Sequence, residues 1–163
     1  MNEKEWKCSQ CGKKALEKNL FIIDNHRICN ICLYGEAKPF EIFPIGYVEN
    51  NLTKARKGFG TIGDKTMSVI NLMQSQHKFM YKLEEEKYLI IIYYLHESRS
   101  VASIFKRGLD GKEVGVFASR TPGRLSRIGV RDVELLKIEG NKIYVKGLDA
   151  INGSPVLDIK LKI

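Results

Sequence analysis

Four cysteines, all within the first 32 residues of a 163-residue chain, constrain its N-terminus more than any other feature. They read Cys8-Ser-Gln-Cys11, then 17 residues, then Cys29-Asn-Ile-Cys32. Two residues between cysteines let one tight turn aim both sulfurs at a single point. Two such knuckles joined by a hairpin complete a tetrahedron, and this separation lies in the zinc-ribbon range. Gly12, directly after Cys11, suits the positive φ such a knuckle needs. Between the pairs, residues 20–23 and 26–28 read as strands around an Asp24-Asn25 turn. The expectation is a structural Zn²⁺ held by Cys8, Cys11, Cys29 and Cys32. Four thiolates close its shell, leaving no open position for a substrate and no place for His26. About 35 residues build little core, so the metal should supply the folding energy there. The alternative is two disulfides, which belong to an oxidising compartment. The first six residues are charged and lack an apolar stretch, so no signal peptide is expected and the protein reads as cytoplasmic.

The remaining chain reads as mainly β. Hydrophobic residues make up 44% and charged residues 28% of the sequence, values of a globular protein. The longest apolar run, Leu89 to Leu95, is too short to span a bilayer, so no membrane partner is expected. Residues 87–96 form the strongest strand signal, a continuous β-prone run typical of a central buried strand. Further strands are expected at 40–48, 67–73, 113–118, 128–138, 142–148 and 156–162. Turns fall at Glu84-Glu-Glu86, Gly140-Asn141 and Asn152-Gly-Ser-Pro155. Residues 50–65, with Gly58, Gly60 and Gly63, read as a long functional loop. No long amphipathic helix, no repeat and no G-x-G-x-x-G after a strand is present. Six or seven short strands point to a barrel or sandwich. The joint at residues 35–39 divides the chain into an N-terminal ribbon, 1–38, and a β domain, 40–163.

Charge is uneven. The formal net charge is +8, and residues 99–131 carry eight basic and two acidic residues. A local basic stretch points to a polyanionic partner; the alternative is a solvated basic face. Arg120, Arg124, Arg127 and Arg131 recur at spacings of four, three and four. Pro122 and Gly123 argue for a loop rather than one face of a helix. Guanidinium groups there suit phosphate or carboxylate, the alternative being scattered surface ion pairs. Tyr93, Tyr94 and Tyr144 read as core or sheet-face residues.

Three stretches together resemble the TsaA-like family, whose characterised members are TrmO tRNA methyltransferases. Ile45-Gly-Tyr-Val48 is similar to the family's opening strand. Gly115-Val-Phe-Ala-Ser-Arg120-Thr-Pro-Gly-Arg124, with Ile128-Gly129, resembles the pattern G-V-F-A-T-R-S-P-x-R-P-N-P-I-G. Gly147-Leu-Asp149-Ala-Ile-Asn-Gly-Ser-Pro-Val-Leu-Asp158-Ile-Lys160 resembles L-D-x-x-D-G-T-P-V-L-D-I-K-P-Y. The resemblance covers residues 42–163. It implies a small β-barrel that works as a homodimer, binds S-adenosyl-L-methionine and methylates N6 of threonylcarbamoyl-adenosine beside the tRNA anticodon. It also implies cofactor contacts from His96, Glu97, Arg120, Val130, Asp149, Ala150, Ile151 and Asn152, and from the loop near Gly58 to Thr61. Arg124, Arg127 and Arg131 are then the expected RNA contacts. His96 and Asp149 are the candidate acceptors of the proton that a nitrogen nucleophile must lose. The sequence departs from the family at Leu125-Ser126-Arg127, which replaces Pro-Asn-Pro. It departs again at Gly123, at Asn152, which replaces Asp, and at Lys162, near the family's Tyr. These departures leave open a methyltransferase on another RNA or a small molecule, or a non-catalytic zinc-ribbon RNA-binding protein.

Overall fold

The computed structural model describes residues 4–54, 65–97 and 100–163. Thirteen strands and one short α-helix are present among them. The chain forms two compact units. The first is Met1–Glu41 with Glu97–Ser126, and the second is Ile42–His96 with Arg127–Ile163. No helix among the described residues is long and apolar enough to cross a membrane.

The second unit is a closed six-stranded barrel. Its strands are β5 (Gly46–Glu49), β6 (Met67–Leu72), β7 (Tyr88–Tyr94), β11 (Ile128–Glu139), β12 (Lys142–Lys146) and β13 (Pro155–Leu161). They run around the barrel in the order β11-β12-β6-β5-β13-β7, and every pairing is antiparallel. Strand β7 lies between β11 and β13, which explains its uninterrupted apolar run. Its alternate residues Leu89, Ile91 and Tyr93 face the core, together with Val48, Ile70, Leu72, Val133, Ile143, Val145 and Val156. Two short 3-10 helices, Gln74–Met80 and Leu83–Glu85, add Met80 and Leu83 to that core. Strand β13 carries an irregularity at Leu157 and β11 one at Leu136, each adding local bend.

The first unit is built around the ribbon. Strands β1 (Glu5–Lys7) and β2 (Lys14–Leu16) form one hairpin. Strands β3 (Leu20–Ile23) and β4 (His26–Cys29) form a second, and helix α1 (Asn30–Tyr34) follows it. Asp24 and Asn25 turn the second hairpin with φ of 47° and 65°, the pair of left-handed residues a two-residue turn demands. The two-residue strand β8 (Ser100–Val101) then pairs in parallel with β3. Strands β9 (Ile104–Lys106) and β10 (Glu113–Gly115) make a further hairpin.

Several expectations change in the folded chain. Only Gly46–Glu49 of residues 40–48 is strand, because Pro44 denies the ladder a donor. The strand expected at 113–118 stops at Gly115 and turns into a 3-10 helix, Val116–Ala118. Glu84 and Glu85 lie in the 3-10 turn Leu83–Glu85, and Glu86 caps it with extended backbone. Residues 97–126, assigned from sequence to the β domain of 40–163, belong to the same compact unit as the ribbon. Most of the glycine-rich loop at 50–65, with Gly58, Gly60 and Gly63, lies outside the described residues.

At Gly46 two barrel strands approach backbone to backbone. A Cβ there would sit 2.5 Å from the Asn71 carbonyl oxygen and 2.9 Å from the Leu72 Cα, both rigid backbone atoms. Gly46→Ala is therefore expected to destabilise the barrel by about 1–3 kcal/mol through forced displacement of β5 from β6, measured as a lower midpoint in urea unfolding.

Candidate functional sites

The four cysteine sulfurs converge, all lying within 4.8 Å of one another. Cys8 Sγ is 3.8 Å from Cys32 Sγ, and Cys11 Sγ is 3.9 Å from Cys29 Sγ. A tetrahedron with Zn–S bonds of about 2.3 Å requires sulfurs about 3.8 Å apart, so the spacing fits a thiolate-bound dication. The cysteines are free rather than paired as two disulfides. Gly12 does adopt φ of 72° behind the first knuckle. Backbone N–H groups of Cys11 and Cys29 lower the Cys8 thiol to about 6. Cys32 is pushed up to about 12, first by its hydrogen bond with Cys29 and then by burial and the remaining sulfurs. Four sulfurs this close cannot all ionise without a cation between them, which is the electrostatic case for a metal.

The ribbon is tied to residues 97–126. Asp24 Oδ1 accepts from the Ser103 amide at 2.9 Å, and Asp24 Oδ2 accepts from Ser103 Oγ at 2.5 Å. The Asp24 amide donates to the Val101 carbonyl at 2.9 Å. Ser103 holds the Asp24 carboxyl below its ordinary range, because both bonds favour the ionised form. Farther along the segment, Arg107 grips Asp110 through two nitrogens, at 3.0 and 2.6 Å, and reaches the Ala118 carbonyl at 2.9 Å. Arg124 donates to the Thr121, Ser119 and Val116 carbonyls. Its guanidinium thus holds together the loop on which Arg120 is exposed.

In the barrel, one end collects the second group of candidates. Strands β7 and β11 meet there at Tyr94 and Ile128, and β13 begins at Pro155 opposite Tyr47. Tyr93 is buried and donates its phenol to Asp149 Oδ1 at 2.8 Å. Its ring lies against Gly129, where any Cβ would fall 2.4 to 2.9 Å from three ring carbons. Gly129 therefore gives the ring its place and aims the phenol at Asp149. Burial first, then the Asp149 charge, pushes the Tyr93 phenol well above its ordinary range. Arg131 points into the same end and donates through Nε to the Gly147 carbonyl at 3.1 Å. His96 Nδ1 lies 3.4 Å from the buried Ser154 hydroxyl.

The loop 149–154 is pinned to the segment after β5. Asn152 Oδ1 accepts from the Asn50 amide at 3.1 Å, and the Asn152 amide donates to the Leu52 carbonyl at 2.8 Å. Asn50 Nδ2 donates to the Ala150 carbonyl and to Ser68 Oγ, both at 2.9 Å. Asn152 needs only its acceptor oxygen here, and an Asp at that position would supply the same atom. At Arg127, by contrast, φ is 51°, a value proline cannot adopt. The backbone here therefore differs from one with the family's proline at this position.

The structure thus brings His96 and Asp149 to Asn152 to one barrel end, with Arg131 beside them. Val130 is exposed on β11 opposite Ile92, on the face away from the core residues Leu89 and Ile91. Arg127 starts the return into the barrel, and its carbonyl accepts the Leu95 amide. Glu97, Arg120 and Arg124 lie in the first unit. The loop near Gly58 to Thr61 lies outside the described residues. Sequence reasoning missed Tyr93, Asn50, Ser68 and Ser154 as members of the barrel end. Only Tyr93 carried a signal: it shares the inward parity of Leu89 and Ile91, where a phenol needs a partner.

Comparison with known proteins gives the following. The family described as "tRNA-methyltransferase O N-terminal domain" matches residues 58–162. A probable S-adenosyl-L-methionine-binding protein of Methanocaldococcus jannaschii is 32% identical over 124 residues, covering 72% of this chain and 88% of that protein. A tRNA (adenine(37)-N6)-methyltransferase of Rattus norvegicus is 32% identical over 128 residues, 72% of this chain but 29% of that enzyme. A crystal structure of TrmO from Pseudomonas aeruginosa superposes with a TM-score of 0.61 at 25% identity, covering 77% of this chain and 57% of that one. The chain spans 20% to 58% of the length of six further curated relatives it matches.

Two outcomes test these sites. Cys29→Ser is expected to release bound zinc and abolish hydrogen-exchange protection in residues 8–32 and in β8, because Asp24 leaves Ser103. Protection in β6, β7 and β12 should persist; its loss would show a single cooperative unit. Tyr93→Phe should cost about 1–2 kcal/mol at neutral pH by removing a hydrogen bond to a carboxylate. The parent's Tyr93 phenol ionises later folded than unfolded, so its contribution is complete below pH about 10 and falls as pH rises further. The variant should lose that part of the alkaline decline in urea-melt stability.

Proposed function

The chain belongs to the tRNA-methyltransferase O N-terminal domain family, and from that premise we propose that it is an S-adenosyl-L-methionine-dependent methyltransferase acting on tRNA. The observation that carries this reading is the barrel end, where the family-like stretch 147–154 is held against Tyr93, Asn50 and His96. Its donor set fits the cofactor. Asp149 offers a carboxylate to a cationic or hydroxyl-bearing group, and the backbone of Ala150, Ile151 and Asn152 offers polar edges to a nucleoside. Arg120, Glu97 and Val130 enter on the motif match alone, Arg120 as partner for the cofactor's carboxylate. The cofactor, when bound, supplies the methyl group.

The protein's own residues would position the acceptor and take up its proton. Tyr93 occupies Asp149 Oδ1, which fixes the carboxylate while leaving its other oxygen for a ligand. His96 is half-buried beside Ser154, a setting in which a neutral imidazole can accept a proton. The finer reading is methylation at N6 of threonylcarbamoyl-adenosine beside the anticodon, by a cytoplasmic homodimer. Arg127 and Arg131 would then face RNA, and Arg124 would contribute by holding the Arg120 loop in shape. The ribbon of residues 1–38 would carry structural zinc on Cys8, Cys11, Cys29 and Cys32, the barrel domain following from residue 40. The sulfur spacing supports that ligand set.

A second reading keeps the cofactor and changes the acceptor to another RNA or a small molecule. The left-handed Arg127 favours it, since the loop there cannot follow a proline backbone.

Calorimetric titration with S-adenosyl-L-methionine is expected to show one site per chain. Arg120→Ala should weaken that binding by about tenfold with little change in the thermal midpoint; unchanged affinity would remove Arg120 from the site. Mass spectrometry of tRNA nucleosides from wild-type and deletion cells decides between the acceptors. Loss of the N6-methylated nucleoside on deletion supports the tRNA reading, and an unaltered nucleoside profile supports the second.

A further inference from the structure

The ribbon carries a feature that metal binding does not account for. Trp6, the only tryptophan in the chain, is half-buried on β1. The Arg27 guanidinium stacks over its ring with its central carbon 4.2 Å from the centroid. The Lys4 ammonium lies 4.8 Å from the same centroid. Arg27 is held in place by its backbone, which accepts from the Ser9 amide at 2.7 Å and donates to Ser9 Oγ at 3.2 Å. These bonds tie it to the first cysteine knuckle. Its side chain makes no hydrogen bond or ion pair with any described residue, so its five N–H donors are unspent. A guanidinium held over an indole by its charge keeps its N–H donors for an anion, and their fork geometry matches phosphate.

On the hairpin that carries Trp6, the paired Lys7 and Lys14 fall on the next rung and point to the opposite face, so they are not part of this arrangement. The acid on the β3–β4 turn, Asp24, is committed to Ser103 and leaves the Arg27 charge uncompensated.

We propose that Trp6, Arg27 and Lys4 form a binding surface for the phosphodiester backbone of RNA. The choice of tRNA as that RNA rests on the proposed function. The ring of Trp6 is engaged by cations, so the surface lacks the apolar anchor that an acyl layer or a hydrophobic peptide needs. What it presents is a set of fixed positive charges around one aromatic, a footprint that suits a regular polyanion. Affinity there is independent of base sequence and supplements whatever the barrel end contributes by reading the acceptor nucleoside.

The sole tryptophan reports on the surface directly. Titrating the zinc-loaded full chain with unfractionated tRNA should change its intrinsic fluorescence saturably. With two phosphates engaged, the affinity should fall roughly seven- to twelve-fold between 50 and 200 mM salt. Arg27→Ala, and separately Lys4→Ala, should each weaken tRNA binding by about fivefold or more. Each should also flatten the salt slope by about one unit per lost cation, with zinc content and S-adenosyl-L-methionine affinity unchanged. Silent fluorescence, or parental affinity and slope in both variants, would overturn the proposal. So would poly-glutamate competing as well as tRNA at equal charge, which would make the partner an acidic polypeptide. If the ribbon binds tRNA as expected while cofactor binding and methyl transfer are absent, the proposed function falls and the RNA surface stands.

Discussion

Closure of the barrel through β7 is the constraint on which the rest depends. This strand donates ladders on both edges, to β11 and to β13, and sends Leu89, Ile91 and Tyr93 into the core. A sheet without edges leaves no unpaired row of backbone groups and allows a small core to be enclosed on all sides. It also fixes the strand ends relative to one another. The ends of β5, β7 and β12 and the starts of β6, β11 and β13 must meet in one ring, and the loops that leave that ring inherit its rigidity. Asp149 is therefore held by a core tyrosine rather than by another loop residue. A polar pair built onto a packed strand stays in position while its partners come and go.

The first unit follows a different logic. Its strands are two to four residues long, too short to hold one another by hydrophobic burial. Four converging cysteine sulfurs supply the organising centre. From that centre, the β3–β8 pairing and the Asp24–Ser103 bonds carry order into residues 97–126, whose arginines Arg107 and Arg124 then hold their own loop by its carbonyls. A metal held by these cysteines would thereby be linked to the shape of the Arg120 loop through named hydrogen bonds within one unit. The same centre positions Ser9, and through it Arg27 over Trp6. A metal there would have no open coordination position, and by this route it would still support the proposed RNA surface.

Much of the fold was legible because each strong signal was local. The run at residues 87–96 needed only hydropathy to read as a central strand, and residues 67–73 and 142–148 read as strands where the structure has β6 and β12, with Ile70, Leu72, Ile143 and Val145 buried. The left-handed turn at Asp24-Asn25 was written in residue type. The misses share one cause. Strand β8 has two residues, too few for any periodicity, and its pairing with β3 joins positions about 78 apart in sequence. Residues 113–118 were β-prone throughout, yet the chain turns at Val116 into a single 3-10 turn. In the candidate site, Tyr93 was read as a core residue, which it is. Its second role required knowing that Asp149, 56 residues later, ends within reach of its hydroxyl.

The sequence by itself determined the convergence of the four ribbon cysteines, most of the strand content of the barrel and the motif residues at 115–124 and 147–160. These rest on spacing, side-chain parity and turn chemistry, all of which act over a few residues. Only the tertiary structure decided which of those residues meet. It placed Asp149 under Tyr93, Asn152 against Asn50, and residues 97–126 with the ribbon. It also turned Arg127 into the left-handed region and laid Arg27 across Trp6. Each of these depends on where distant backbone segments come to rest. Barrel closure and strand pairing settle that position, and no local pattern encodes it.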